Sequence, residues 1–263
     1  DGVVRLPARI APTAVAAMRD AMWAMLEAHG VARADRQTWT VGGALRWAEI
    51  AGALRPGPGD ALWSVGRAAA GASLGAALAA AVDEVFGPGV WAPIDDPPGG
   101  LAMPNLPLAG AWTVPHAAWH VDEPTTAGRP DPWGLLGFAC LDDVVPGGGA
   151  TVAIAGSHRR LARLADELAT PAAPYVLTTD VALAALAQAE PWFAELIAPG
   201  DAAARARLLG EPYLSAGVPL RVVELTGAAG DLVLMDPRCL HTVSANTSDR
   251  ARLIMRLVCA RQG

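Results

Sequence analysis

The chain begins with apolar positions at helical spacing and continues as short apolar runs punctuated by Gly, Pro and Asp. From Thr13 to His29, the residues Val15, Met18, Met22, Met25 and Leu26 recur three or four apart, which makes one apolar stripe on a helix. Pro12 before this stretch and Gly30 after it act as start and stop signals. A second helix is predicted over Gly43–Leu54, closed by the turn Arg55-Pro56-Gly57-Pro58-Gly59. A third is predicted over Ala61–Phe86, ended by Gly87-Pro88-Gly89.

Beyond residue 100 the candidate strands are Gly110–Val114, Ala118–Val121, Trp133–Leu141, Ala150–Ala155, Leu220–Leu225, Asp231–Met235, His241–Ala245 and Arg252–Cys259. Pro146-Gly147-Gly148-Gly149 reads as a turn between two of them. Between Ser157 and Pro219 the helical texture returns, at roughly 158–169, 180–197 and 201–209. Strands resume afterwards, so this stretch reads as an insertion. The expected architecture is α+β, in one domain over 1–263: a mainly helical part over 1–100, a barrel or double-sheet jelly roll over 101–157 and 220–263, and a helical insertion over 158–219.

Composition narrows the function classes. A chain of 263 residues with 52% hydrophobic and 17% charged residues is not disordered. A net charge of -6 argues against a nucleic-acid surface, which needs clustered base. All 20 basic residues are arginine. Without a lysine amine there is no Schiff-base chemistry and no Walker-type phosphate loop. The longest uncharged helical run, Ala68–Val82, falls short of the ~20 apolar residues that a membrane span needs. Its Gly71 and Gly75 read as close helix packing in a soluble core. The opening residues do not read as an export leader. Cys140, Cys239 and Cys259 show no CxxC spacing, which fits free thiols in a reducing cytosol, so the expected location is cytoplasmic.

The candidate chemistry centres on two of the five histidines. In an extended segment, residues two apart share a face, so His120 and Asp122 would project side by side. His241, at the start of a late strand, can supply a third ligand. Two histidines and one carboxylate take one face of an octahedral ion and leave the other positions open, the pattern of non-haem Fe(II) oxygenases. An H-x-D pattern alone is weak. Asp236 is a rival carboxylate, although Pro237 beside it suggests a turn. His116 and His120 have the spacing of a zinc-protease helix, but Ala117 stands where the general base is required. His29 suits the last turn of its helix. Ser157-His158 lacks a nucleophile elbow and reads as a helix start. Arg252, eleven residues after His241 on an apolar strand, can hold a carboxylate through two parallel hydrogen bonds. Arg250 and Arg256 compete for that role; Arg256 shares a face with Arg252 and can instead pair with an acid. Trp112, Trp119 and Trp133 flank the proposed site.

These segments, in this order, resemble the phytanoyl-CoA dioxygenase-like Fe(II)/2-oxoglutarate oxygenases. Trp119-His120-Val121-Asp122 is similar to that family's W-H-x-D motif. The stretch Gly147 to His158 is similar to its N-G-x-x-x-x-x-P-G-S-H run, with Ala155 in place of the proline. Gly230 to Met235, then His241 and Arg252, resemble its ending. The likeness covers 110–160 and 220–260 and is weak over 40–105 and 160–219, where substrate determinants are expected. The resemblance implies a double-stranded β-helix (jelly-roll, cupin-like) core, with Fe(II) on His120, Asp122 and His241. It also implies that Arg252 binds the far carboxylate of 2-oxoglutarate, with Phe138 as an aromatic wall beside it and Met103 in the same pocket. The implied partners are dioxygen and a small-molecule substrate. The implied outcome is hydroxylation with release of succinate and CO2, since halogenating relatives lack the carboxylate that Asp122 provides. No lysine is available to contact 2-oxoglutarate, as some relatives have. Two other readings stay open: a cupin-like metal-dependent isomerase or hydrolase that does not use 2-oxoglutarate, and a non-catalytic ligand-binding relative.

Overall fold

The computed structural model describes residues 1–28, 30–40, 61–93, 101–170, 175–200 and 202–262. The predicted helix over Gly43–Leu54, its closing turn and His29 lie outside the described residues. The first helix, α1 (Pro12–Ala28), buries Val15, Met18, Met22, Met25 and Leu26, the stripe seen in the sequence. A single turn, α2 (Gln37–Thr40), and a long helix, α3 (Ala61–Phe86), also lie in the early part, among the described residues. Among the described residues, no helix is long and apolar enough to cross a membrane.

The larger sheet is antiparallel, with the order β1 (Val3–Leu6), β10 (Leu232–Met235), β5 (Gly134–Cys140), β12 (Arg252–Arg261) and β2 (Trp91–Pro93); β3 (Leu101–Asn105) also pairs with β12. The second antiparallel sheet runs β11 (His241–Val243), β6 (Thr151–Ala155), β9 (Val218–Glu224) and β8 (Pro212–Ser215). The larger sheet curls into a half-barrel.

Alternation along β12 shows how the layers stack. Leu253, Met255, Leu257 and Cys259 face outward and share one core with Met18, Met22, Leu74, Leu78 and Val82 of α1 and α3. Gly137 on β5 lets α3 come close: a Cβ there would sit 3.3 Å from Cδ1 of Leu78. Ile254, on the other face of β12, joins Leu136, Phe138, Val233 and Met235 in a core that also includes Ala153 of β6. The two sheets therefore face each other across this inner core. Four helices lie between the sheets' strands: α4 (Ser157–Leu168), α5 (Thr179–Ala189), α6 (Pro191–Ile197) and α7 (Ala202–Arg207). The outer face of the second sheet, with Val152, Ile154, Leu220 and Val222, is covered by Leu161 and Leu164 of α4, Ala182 and Leu186 of α5, and Phe193 and Leu196 of α6.

Several expectations are corrected. The segment 158–219 is not purely helical, because it carries β7 (Val176–Leu177), paired with β4 (Thr125–Thr126), and β8. The helix predicted over 180–197 is two helices, broken at Glu190 because the following Pro191 has no N–H to continue the ladder. Gly110–Val114 forms no strand, and of Ala118–Val121 only His120 makes a bridge. Ser157 does start a helix as expected, with Gly156 before it as the N-cap in a left-handed conformation with φ 88. All three cysteines are free and buried.

Candidate metal centre

The local backbone explains how residues 120 and 241 meet. His120 and His241 are antiparallel partners in an isolated bridge, and each N–H donates to the other's carbonyl at 2.9 Å. His241 is also the first residue of β11, paired with Ala153 of β6. Asp122 follows His120 past a bend, and its N–H donates to the Pro237 carbonyl at 2.9 Å. The shared face expected of a regular strand is thus delivered by one bridge and one anchored bend.

The three side chains converge. Nε2 of His120 lies 3.8 Å from Oδ1 of Asp122, and Nε2 of His241 lies 3.7 Å from Oδ2. The two imidazole centroids are 4.2 Å apart. One ligand atom from each of the three falls within 4.8 Å of the others, so the group can hold a metal ion. Nδ1 of His120 is 2.9 Å from the Ala118 carbonyl, and Nδ1 of His241 is 2.9 Å from the Cys239 carbonyl. A carbonyl only accepts, so each Nδ1 carries the proton and each Nε2 presents its lone pair inward, as metal-bound histidines require. Burial, and then the neighbouring His120, pull the His241 pKa down to about 4, so this imidazole is neutral near pH 7 and free to coordinate.

The turn carrying His241 is fixed from below. Arg238 is buried and grips Asp236, with Nε to Oδ1 at 3.0 Å and Nη2 to Oδ2 at 2.7 Å. Asp236 is therefore a turn-builder with its carboxylate already paired, not a rival ligand. Ser157, fully buried, donates from Oγ to the Ile154 carbonyl at 2.6 Å and accepts from the Leu240 N–H at 2.8 Å. It ties β6 to the residue before His241, a role that the Gly-Ser-His motif did not disclose.

A cavity of about 480 Å³ lies against the three residues, walled by Met103, Trp119, Phe138, Thr151, Val243 and Arg256. Trp133 is largely exposed, and Trp112 and His116 are not among the lining residues. Phe138 is buried in the cavity wall and is the cross-strand partner of Arg256. Nη2 of Arg256 donates to Oδ2 of Asp122 at 2.6 Å, the acid pairing that the sequence left open for this arginine.

Arg252 lies on the same inward row of β12 but is not among the lining residues. It is 3% exposed, and its Nη1 donates to the Met103 carbonyl at 3.0 Å. Its Nε has no partner, and no carboxylate pairs with it among the described residues. Burial pulls its pKa down to about 10, which leaves it a cation near pH 7.

No protein-family model matches the chain, and a search of curated proteins found no match. Similar solved structures include the non-haem alpha-ketoglutarate-dependent carbocyclase SnoK from nogalamycin biosynthesis (19% identity, 98% of this chain and 79% of that one, TM-score 0.48). AviO1 from Streptomyces viridochromogenes Tue57 is also 19% identical, over 99% of this chain and 90% of that one, with a TM-score of 0.48. HygX from Streptomyces hygroscopicus, solved with nickel and 2-oxoglutarate, is 12% identical over 98% of this chain and 82% of that one, with a TM-score of 0.44. Likeness at this level assigns neither reaction nor substrate.

Proposed function

We propose that the chain is a single Fe(II)/2-oxoglutarate-dependent oxygenase domain over 1–263, built on a double-stranded β-helix, that hydroxylates a small molecule using dioxygen. The observation that carries this reading is the convergence of His120, Asp122 and His241, with both Nδ1 protons held by backbone carbonyls. The donor set fits Fe(II): two neutral imidazoles and one carboxylate suit a borderline divalent ion and leave coordination positions open.

The residues around that set have separate tasks. The Ala118 and Cys239 carbonyls orient the imidazoles. Arg252 is a buried cation that has, among the described residues, a free donor and no acid partner, which fits the distal carboxylate of 2-oxoglutarate, with Phe138 as the adjoining wall. Trp119, Met103 and Val243 give the cavity an apolar lining that accepts a small organic substrate. When bound, Fe(II) would activate dioxygen, the oxidant, and 2-oxoglutarate would supply two of the electrons as it is converted to succinate and CO2.

The competing reading, a cupin-like metal-dependent isomerase or hydrolase, draws on one observation: Arg252 is not among the cavity-lining residues. Anaerobic addition of Fe(II) and then 2-oxoglutarate separates the two. The oxygenase reading expects a weak visible charge-transfer band that is absent when 2-oxoglutarate is left out, and absent in His241→Ala. No band in the folded wild-type protein overturns it.

A further inference from the structure

The peptide that follows His120 is held from both sides. In a trans peptide the C=O and the N–H point in opposite directions. The His120 carbonyl accepts the His241 N–H at 2.9 Å, and the Val121 N–H of the same peptide donates to Oγ1 of Thr179 at 3.1 Å. Two more bonds hold this stretch, from the His120 N–H to the His241 carbonyl and from the Asp122 N–H to the Pro237 carbonyl; like the first, they come from residues 237–241. Thr179 comes instead from the insertion, 58 positions along the chain. It is the first residue of α5 and follows β7, which pairs with β4 just beyond Asp122. The Ala127 N–H donates to the Tyr175 carbonyl at 2.8 Å, and the Gly128 N–H to Oδ1 of Asp166 on α4 at 2.9 Å. Ala182 and Leu186 bury α5 in the core over the second sheet. The hydroxyl of Thr179 is thus presented from a fixed base.

We propose that Thr179 is a positioning residue for the metal centre: its hydroxyl sets the His120–Val121 peptide plane, and with it the spacing of the His120 and Asp122 side chains. This rests on the metal-centre reading above. The plane turns about ψ of His120 and φ of Val121, two soft torsions that lie between the two ligands. Turning it swings one ligand against the other, and an ion held by three protein ligands loses affinity when they are misaligned. The Asp122 N–H is already bonded to Pro237, so the Val121 N–H is where the insertion can fix this stretch. The helical insertion thereby acts on the metal through one hydroxyl.

The test adds Co(II) alone to the purified chain and reads its affinity and its visible d–d absorption. Thr179→Val keeps the shape of the side chain and removes the acceptor. It should bind Co(II) roughly tenfold more weakly, the low end for an outer partner of a metal ligand, with shifted bands. Thr179→Ser keeps the hydroxyl and should return both readings toward wild type. A hydroxyl that only stabilises the fold lowers Tm and leaves the affinity and bands of the folded protein unchanged; that result in Thr179→Val overturns the proposal, as does a serine variant that restores neither reading. Hydrogen exchange on the wild-type chain decides the matter where the valine variant does not fold: the Val121 amide should be protected, and exchange at the rate of an open amide overturns the proposal. If the folded wild-type chain binds no Co(II), or binds it no better than His241→Ala, the metal reading itself has failed and the proposal falls with it. If wild type binds Co(II) and Thr179→Val matches it, only the role of Thr179 is lost.

Discussion

Arg252 shows most sharply how a single residue trades stability for a site. A buried guanidinium that has, among the described residues, an unpartnered Nε and no acid beside it is destabilising, because its desolvation is only partly offset by the bond to the Met103 carbonyl. Arg252→Met, of similar length and apolar, should therefore stabilise the ligand-free chain by about 1–2 kcal/mol, seen as a higher urea midpoint at unchanged slope. The same substitution should weaken 2-oxoglutarate binding by roughly 100-fold, since two charge-assisted bonds are lost, while metal affinity changes less than about threefold. Equal loss of both affinities would remove Arg252 from the clamp role. Asp122→Ala tests the neighbouring assignment: it should abolish turnover, and undiminished hydroxylation would show that the carboxylate ligand lies elsewhere.

At the scale of elements, what the sequence disclosed follows from how apolar each strand is. β5 and β10 are buried on both faces and read as continuous apolar runs, and β12 is apolar but for its arginines, so all three were found to within two residues. β1, β2, β3 and β8 were not expected. Each is five residues or fewer, and β2, β3 and β8 contain Pro93, Pro104 and Pro212, which count against a strand in any propensity reading. Gly110–Val114 shows the opposite failure, an apolar-looking run with no strand to pair with. His120 and Asp122 were legible as a pair through their spacing, while Arg256's grip on Asp122 was not, because it joins residues 134 positions apart. Ser157 was equally hidden: its hydroxyl spans β6 and the turn before β11. Ser157→Ala should leave the Leu240 N–H buried without that partner, at a cost of about 1–3 kcal/mol, or roughly 3–10 °C in Tm. It should also loosen His241, lowering metal affinity severalfold. A variant with unchanged Tm would show that the stitch is dispensable.

For the molecule as a whole, one half-buried histidine links the chain's first residues to the site's support. His158, at the start of α4, has Nδ1 3.4 Å from Sγ of Cys239. It packs so closely that a Cβ on Gly2 would lie 2.5 Å from its ring. Gly2 in turn accepts the Asp236 N–H at 2.8 Å, and Asp1 accepts the Gly156 N–H at 2.7 Å. The first residues, α4 and the turn before His241 thus close around one imidazole. Burial pulls its pKa from 6.5 down to about 4; Asp236 opposes the shift, while Arg238 and Arg159 add to it. Above pH 6.5 the ring is neutral in both folded and unfolded chains, and its contribution to stability is complete. As the pH falls from 6.5 toward 4, the unfolded chain takes up a proton that the folded chain refuses, so stability declines by up to about 1.4 kcal/mol per unit from this group. Below about 4 both states are protonated and the slope from His158 ends. Urea unfolding of the metal-free chain should therefore show about 2 kcal/mol less stability at pH 5 than at pH 6.5 from His158, with a further loss from His241, whose pKa is also lowered to about 4. His158→Gln should remove the first part and keep the second. If its stability falls with pH as steeply as the wild type's, the acid sensitivity arises elsewhere and the packing around His158 does not gate it.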